Sequence, residues 1–159
     1  MTSDTSNNAE NAATMGVGTP QDCAAAPATL FVCITCRMSL EPGVSATMTT
    51  DGRELFDLVG LLHNTHPAAD QVMVRSVECL GSCDQGCTAG IGAPGKFAYL
   101  LGGLEPTREH AAAILDCALL LGQQSGSVLG RLQRPPLLRN RLLGRMPPLP
   151  LSNPRNTAP

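Results

Sequence analysis

The spacing of apolar residues changes several times along the chain, and each change marks an element. Thr29-Leu-Phe-Val32 is a short apolar run that stops at Cys33, the pattern of a buried strand. Residues 37–50 hold Pro42-Gly43 among small polar residues and are expected to form a loop. A helix is predicted from Asp51, where Asp51-x-x-Glu54 has the form of a capping box. Leu55, Leu58, Val59 and Leu62 follow at helical spacing, and His63 to Pro67 closes the helix. Val72, Val74 and Ser76 alternate with Met73, Arg75 and Val77, a strand that runs into Cys79. Cys87 to Gly92 reads as a short strand, Ala93-Pro94-Gly95-Lys96 as a tight turn, and Phe97 to Leu101 as the returning strand. Thr107 then caps a second helix, with Ala111, Ile114, Leu115, Ala118 and Leu119 on its buried face and Gly122 as its stop.

The order is strand, helix, strand, hairpin, helix. A strand–helix–strand crossover favours a parallel pair, and the hairpin adds antiparallel strands. The predicted fold is therefore α/β, over residues 29–123, and the order is compatible with a thioredoxin-like, four-stranded mixed sheet with helices packed on it. In that arrangement Cys33 and Cys79 stand at the carboxyl ends of two parallel strands, on one edge of the sheet. Residues 1–28 are rich in Ser, Asn, Ala, Thr and Gly without periodicity and are expected to be disordered, with Cys23 a stray thiol. Residues 124–159 form a basic, proline-rich tail. Within it Pro136 to Leu143 is expected to make a short helix, with Gly144 at its end.

Charge separates these regions further. Residues 1–28 carry three acids and no base, residues 29–123 ten acids and five bases, and residues 125–159 six arginines and no acid. The tail is expected to wrap its own acidic domain, or else to dock an acidic partner or anionic ligand. Nucleic-acid binding does not fit an acidic body with one Tyr, three Phe and no Trp. No apolar run approaches the roughly 18 residues that would span a membrane, and no secretory leader is visible. A cytoplasmic protein is expected, in which cysteines serve as ligands or redox groups rather than as disulfides.

Seven cysteines are present, five of them in two clusters: Cys33-x-x-Cys36, and Cys79, Cys83 and Cys87 at four-residue spacing, with about 40 residues between the clusters. Tight thiol pairs on two separate loops are how a small domain holds a metal centre. A [2Fe–2S] cluster takes four thiolates, two per iron, and Cys33 with Cys36 and Cys79 with Cys83 supply them. Gly81, Ser82 and Gly86 leave backbone N–H groups free to point at sulfur. Cys87 has two readings, a spare ligand or a small buried residue opening the next strand. Cys117, mid-helix among leucines, belongs to the core. The same thiolates also suit a tetrahedral Zn²⁺, or a Co²⁺, in an accessory or metal-delivery protein. A third chemistry is a dithiol redox pair at Cys33/Cys36. Such a pair normally opens a helix, whereas here a Pro-Gly loop precedes the nearest helix start. His63, His66 and His110 are expected to be solvated or capping groups, and no catalytic constellation can be assembled.

Val77-Glu-Cys-Leu-Gly-Ser-Cys-Asp-Gln-Gly86 resembles the second ligand loop of thioredoxin-like [2Fe–2S] ferredoxins. That resemblance implies ligand roles for Cys33, Cys36, Cys79 and Cys83, although the first pair is more closely spaced here than in those ferredoxins. A wider resemblance covers roughly residues 29–150. It rests on the two cysteine clusters, Ala93-Pro94-Gly95-Lys96-Phe97-x-Tyr99, Gly102-Gly103-Leu104-x-Pro106, and Arg134-Pro135, Arg139 and Arg145-Met146-Pro147-Pro148-Leu149. Together these resemble a bacterial family of unknown function, number 1636, whose members are described as predicted metal-binding proteins often encoded near cobalamin-biosynthesis genes. The resemblances imply a small electron carrier that serves a redox partner protein or enzyme and performs no bond chemistry itself.

Overall fold

The computed structural model describes residues 27–38 and 49–148. Residues 1–26, with Cys23, most of the predicted 37–50 loop, and residues 149–159 lie outside the described residues. Five strands and two α-helices follow in order: β1 (Ala28–Cys33), α1 (Asp51–Thr65), β2 (Val72–Val77), β3 (Cys87–Gly92), β4 (Ala98–Leu104), α2 (Arg108–Gln123) and β5 (Leu142–Met146). They form one mixed sheet in the order β2-β1-β3-β4-β5. The crossover through α1 makes β1 and β2 parallel, with Cys33 opposite Val77, and the remaining pairs are antiparallel. β1 begins one residue before the predicted domain start, at Ala28, which is fully buried.

Both helices pack on one face of the sheet. Alternate residues of each strand point to that face, so Leu30, Val32, Ala89, Ile91, Leu101 and Leu104 meet Leu55 and Val59 of α1 and Ile114, Ala118 and Leu121 of α2 in a single core. On the opposite face Phe31, Gly90, Leu100 and Gly144 share one cross-strand row. With Leu80 they floor an apolar groove of about 450 Å³ that no helix of the described residues covers.

The sheet has five strands where the sequence predicted four, because the tail supplies the last one. Pro135-Pro136 permits a single 3-10 turn, Pro136–Leu138, whose Leu138 is fully buried. Beyond it the backbone of β4 captures the chain. Gly102 N–H donates to the Arg141 carbonyl at 2.9 Å, and the Arg141 guanidinium donates to the Gly103 carbonyl. The predicted helix over residues 136–143 would have left those edge groups unpaired. The helix termini differ in detail as well. Thr50, not Asp51, caps α1: its hydroxyl accepts from Arg53 N–H at 3.1 Å, and the Asp51 carboxylate instead accepts from Met38 N–H at 2.7 Å. α2 is capped by Thr107 as predicted and runs one residue past Gly122. The ammonium of Lys96, from the β3–β4 turn, donates to the carbonyls of Leu121 and Gly122 at 2.7 and 2.9 Å and also to that of Gln124. A cation thus neutralises the negative end of the α2 dipole and satisfies its last carbonyls.

Candidate metal centre

Parallel pairing of β1 and β2 brings their carboxyl ends, and hence the two cysteine loops, to the same end of the sheet. Ile34 N–H donates to Val77 O at 2.9 Å and continues the ladder past the last paired residues. One step on, the Glu78 carbonyl accepts from the Thr35 hydroxyl and also from the Cys33 thiol at 3.3 Å. Cys79 is the next residue, so the first loop is sewn to the second immediately beside a second-cluster cysteine.

The N-terminus of α1 stands directly on the Cys33–Cys36 loop. Gly52 N–H donates to Cys36 O at 3.0 Å, and the Thr50 hydroxyl donates to Ile34 O. A Cβ at Gly52 would lie 2.2 Å from the Cys33 carbonyl oxygen, so only glycine permits this approach. The expectation that the Pro-Gly loop would hold the helix away from the cysteine pair is corrected here. Although residues 37–50 separate the two in sequence, the positive end of α1 lies beside the thiols.

Cys33 and Cys36 are buried, whereas Cys79 and Cys83 are exposed. Burial pushes the Cys33 thiol up. Hydrogen bonds to its sulfur from Cys36, from the backbone and hydroxyl of Thr35 and from the backbone of Leu80 outweigh burial and bring it down to about 7. Burial raises Cys36 despite a contact with the Thr88 hydroxyl at 3.5 Å, and the thiolate of Cys33 raises it further. The Cys79 and Cys83 sulfurs are 3.7 Å apart. Two thiolates on one tetrahedral metal, at bond lengths near 2.3 Å, stand about 3.8 Å apart, so this pair already has the separation of two ligands. Cys83 is raised by its hydrogen bond with Cys79 and then by the charge of Cys79. Gly81, at φ +76°, turns its N–H onto Cys79 Sγ at 3.2 Å. The Cys79 and Cys83 sulfurs thus lie side by side, and the Cys33 thiol meets the Glu78 carbonyl one residue before Cys79. Among the described residues, no three His, Cys, Asp or Glu side chains converge on one ion position.

Cys87 opens β3 on the buried side of the sheet, and burial pushes its thiol up to about 12, with the charges of Cys36 and Cys33 adding to the shift. Cys117 is buried in α2 and is likewise raised to about 12 by burial. His63 Nε2 lies 2.9 and 2.8 Å from the carbonyls of Ala69 and Val72 and fixes the approach to β2. His66 Nδ1 accepts from Ala68 N–H at 3.1 Å, a local capping bond. His110 differs from expectation: it is 4% exposed, its Nδ1 accepts from Glu105 N–H at 3.3 Å, and its Nε2 is buried without a partner. A histidine three residues after a Thr cap sits over the first turn of its helix, and the Gly102–Pro106 chain covers it. The sequence signal that α1 would meet the cysteine loop was Gly52, a glycine placed next to a helix cap.

Comparison with curated proteins gives no match. Among solved structures, the chain is similar to "a thioredoxin-like [2Fe-2S] ferredoxin from Aquifex aeolicus", with 17% identity and a TM-score of 0.49 over 77% of this chain and 94% of that one. A second structure, of the wild-type thioredoxin-like [2Fe-2S] ferredoxin from the same organism, gives 21% identity and a TM-score of 0.43 over 62% of this chain and 91% of that one. Residues 30–148 match the family model described as "Protein of unknown function (DUF1636)", and the chain belongs to that family.

Proposed function

We propose that this chain is a thioredoxin-like electron carrier that holds a [2Fe–2S] cluster on Cys33, Cys36, Cys79 and Cys83. When bound, such a cluster supplies reversible one-electron transfer through sulfur-ligated iron. The observation that carries the reading is the Cys79–Cys83 pair at ligand separation, with the Cys33 thiol joined to the Glu78 carbonyl one residue before it. A dinuclear centre uses donors two and two, whereas a single tetrahedral Zn²⁺ or Co²⁺ draws four to one point. The residues around the pairs suit a charged centre. The N–H group of Gly81 donates to Cys79 sulfur, and the positive end of α1 faces the buried pair. Exposed Cys79 and Cys83 give electrons a short way out to a partner protein, and Cys87 keeps its proton as a core residue. On this reading the protein is cytoplasmic, and its chemistry is confined to electron transfer. Among the described residues no helix is long and apolar enough to cross a membrane. Any place in cobalamin biosynthesis would be that of a reductant.

One observation favours a second reading. The helix N-terminus at Cys33/Cys36, with one thiol at about 7 and the other raised, is the asymmetry of a dithiol redox pair. Anaerobic purification separates the two. The cluster reading expects a brown protein with two irons and two acid-labile sulfides per chain. It also expects the colour to be lost on Cys→Ser change at 33, 36, 79 or 83 and kept at 87 and 117. A colourless protein with one zinc per chain, or a blue-green one with one cobalt and no acid-labile sulfide, overturns it, and disulfide reduction by the metal-free protein establishes the dithiol reading instead.

A further inference from the structure

A second polar feature lies away from the cysteines, where the tail folds over α2. Arg134 is 6% exposed, and neither its Nε nor its Nη1 has a hydrogen-bond partner among the described residues. Among the described residues the ion pairs are Arg53–Asp57 and Arg141–Glu105, so no described carboxylate lies within 4 Å of Arg134. A guanidinium stays charged at any physiological pH, and a buried charge without a counter-charge is among the costliest groups a fold can carry.

The surroundings hold this charge in place. Before it, the Gly130–Gln133 turn is closed by Gln133 N–H to Gly130 O at 3.1 Å and by Gly130 N–H to the Gln133 side chain at 2.7 Å. After it, Pro135 and Pro136 fix the backbone, and Leu138 is fully buried. Two more arginines serve the same short stretch. Arg131 donates to the Asn140 side chain at 2.5 Å, while Arg139 donates to Leu132 O at 3.4 Å and leaves its own buried Nε unpaired. From Gly130 to Arg139 the chain carries three guanidinium groups and no acid. The turn above them faces solvent, with Leu132 75% exposed.

We propose that Arg134 and Arg139 form the anchor of an oxyanion site, which binds the carboxylate or phosphate group of a small-molecule ligand. An oxyanion supplies the missing counter-charge and accepts from the unpaired N–H groups. The stretch already presents those donors in fixed positions, so the ligand does not have to order them.

The full-length, metal-free chain tests this in chloride buffer at constant ionic strength. Thermal midpoint is followed against inorganic phosphate in one arm and succinate in the other. A saturable rise is expected in at least one arm, and the responding arm assigns the ligand class. Arg134→Met keeps the apolar stem and removes the charge. It is expected to melt at or above the wild-type temperature in chloride and to lose the anion response. Arg139→Gln is expected to weaken apparent binding about tenfold. If Arg134→Met does not fold, Arg134→Lys keeps the charge without the fork, and its expected response is weaker than that of wild type. A wild type unmoved by either anion overturns the site, whether or not a carboxylate of the chain's own pairs with Arg134. So does an unchanged response in the Arg134 variants, which marks the general salting effect of phosphate.

Discussion

Gly52 and His110 show how much single side chains decide here. At Gly52 a methyl group would normally raise helix propensity by about 1 kcal/mol. The Cys33 carbonyl stands where that methyl would go, and backbone lies on both sides, so neither can yield cheaply. Gly52→Ala is expected to destabilise by about 1–3 kcal/mol, the usual range for overpacking, and to lower metal retention as well; urea unfolding and metal analysis check both. His110 is held neutral first by burial and then by the charge of Arg141, with Glu105 and Glu109 opposing weakly. Its folded pKa is therefore depressed below the usual 6.5, and the unfolded chain takes up the proton more readily. The stability this contributes is complete above about pH 6.5 and is lost as pH falls through the lower folded value. His110→Asn keeps an acceptor for Glu105 N–H and removes the titration. The urea midpoint of wild type is expected to fall between pH 7 and 5 more steeply than that of the variant.

At the scale of elements, hydrophobic period located both helices and the first three strands to within a residue or two, while β4 runs three residues beyond the predicted end at Leu101. Alternation at Val72–Val77 and the stripe at Leu55, Leu58, Val59 and Leu62 are local signals that tertiary contacts only reinforce. What could not be read depended on partners far along the chain. Leu137, Leu138 and Leu142 have helical spacing, but the open edge of β4 offers backbone partners to this segment that a helix does not. Asp51 has the form of a cap, yet Met38 N–H competes for its carboxylate, and Thr50 takes the capping role. Both cysteine clusters were legible as pairs; their junction through the Glu78 carbonyl was not, because it requires strand register. Lys96 is similar, a turn residue in sequence that becomes the terminus of α2 in space. Lys96→Met keeps the stem and strips three carbonyls of their donor. The expected loss is about 1–3 kcal/mol, in the range for hydrogen bonds from a charged group, and hydrogen exchange should show it first in the last turn of α2.

Over the whole molecule, chemistry and bulk are separated. Helices cover one face of the sheet, and the thiols gather at one end, between the start of α1 and the turn after β2. The basic stretch, expected to wrap its own domain, completes the sheet and places Leu129 and Leu138 in the core, so it belongs to the folding unit. Its charge is only partly neutralised there, by Arg141 with Glu105. The carboxylate of Asp51 grips the main chain at Met38, so the two ends of the intervening stretch are clamped together before that stretch does anything. Length between the clamps is therefore free to vary. If the chain holds the proposed cluster, exchanging residues 39–48 for a shorter Gly-Ser bridge that still reaches from Met38 to Thr49 should leave iron content and melting temperature close to wild type, whereas Asp51→Ala in the natural chain should lower both. Insertions or deletions between Met38 and Thr49 would then be tolerated where the same change between Cys33 and Cys36 would not.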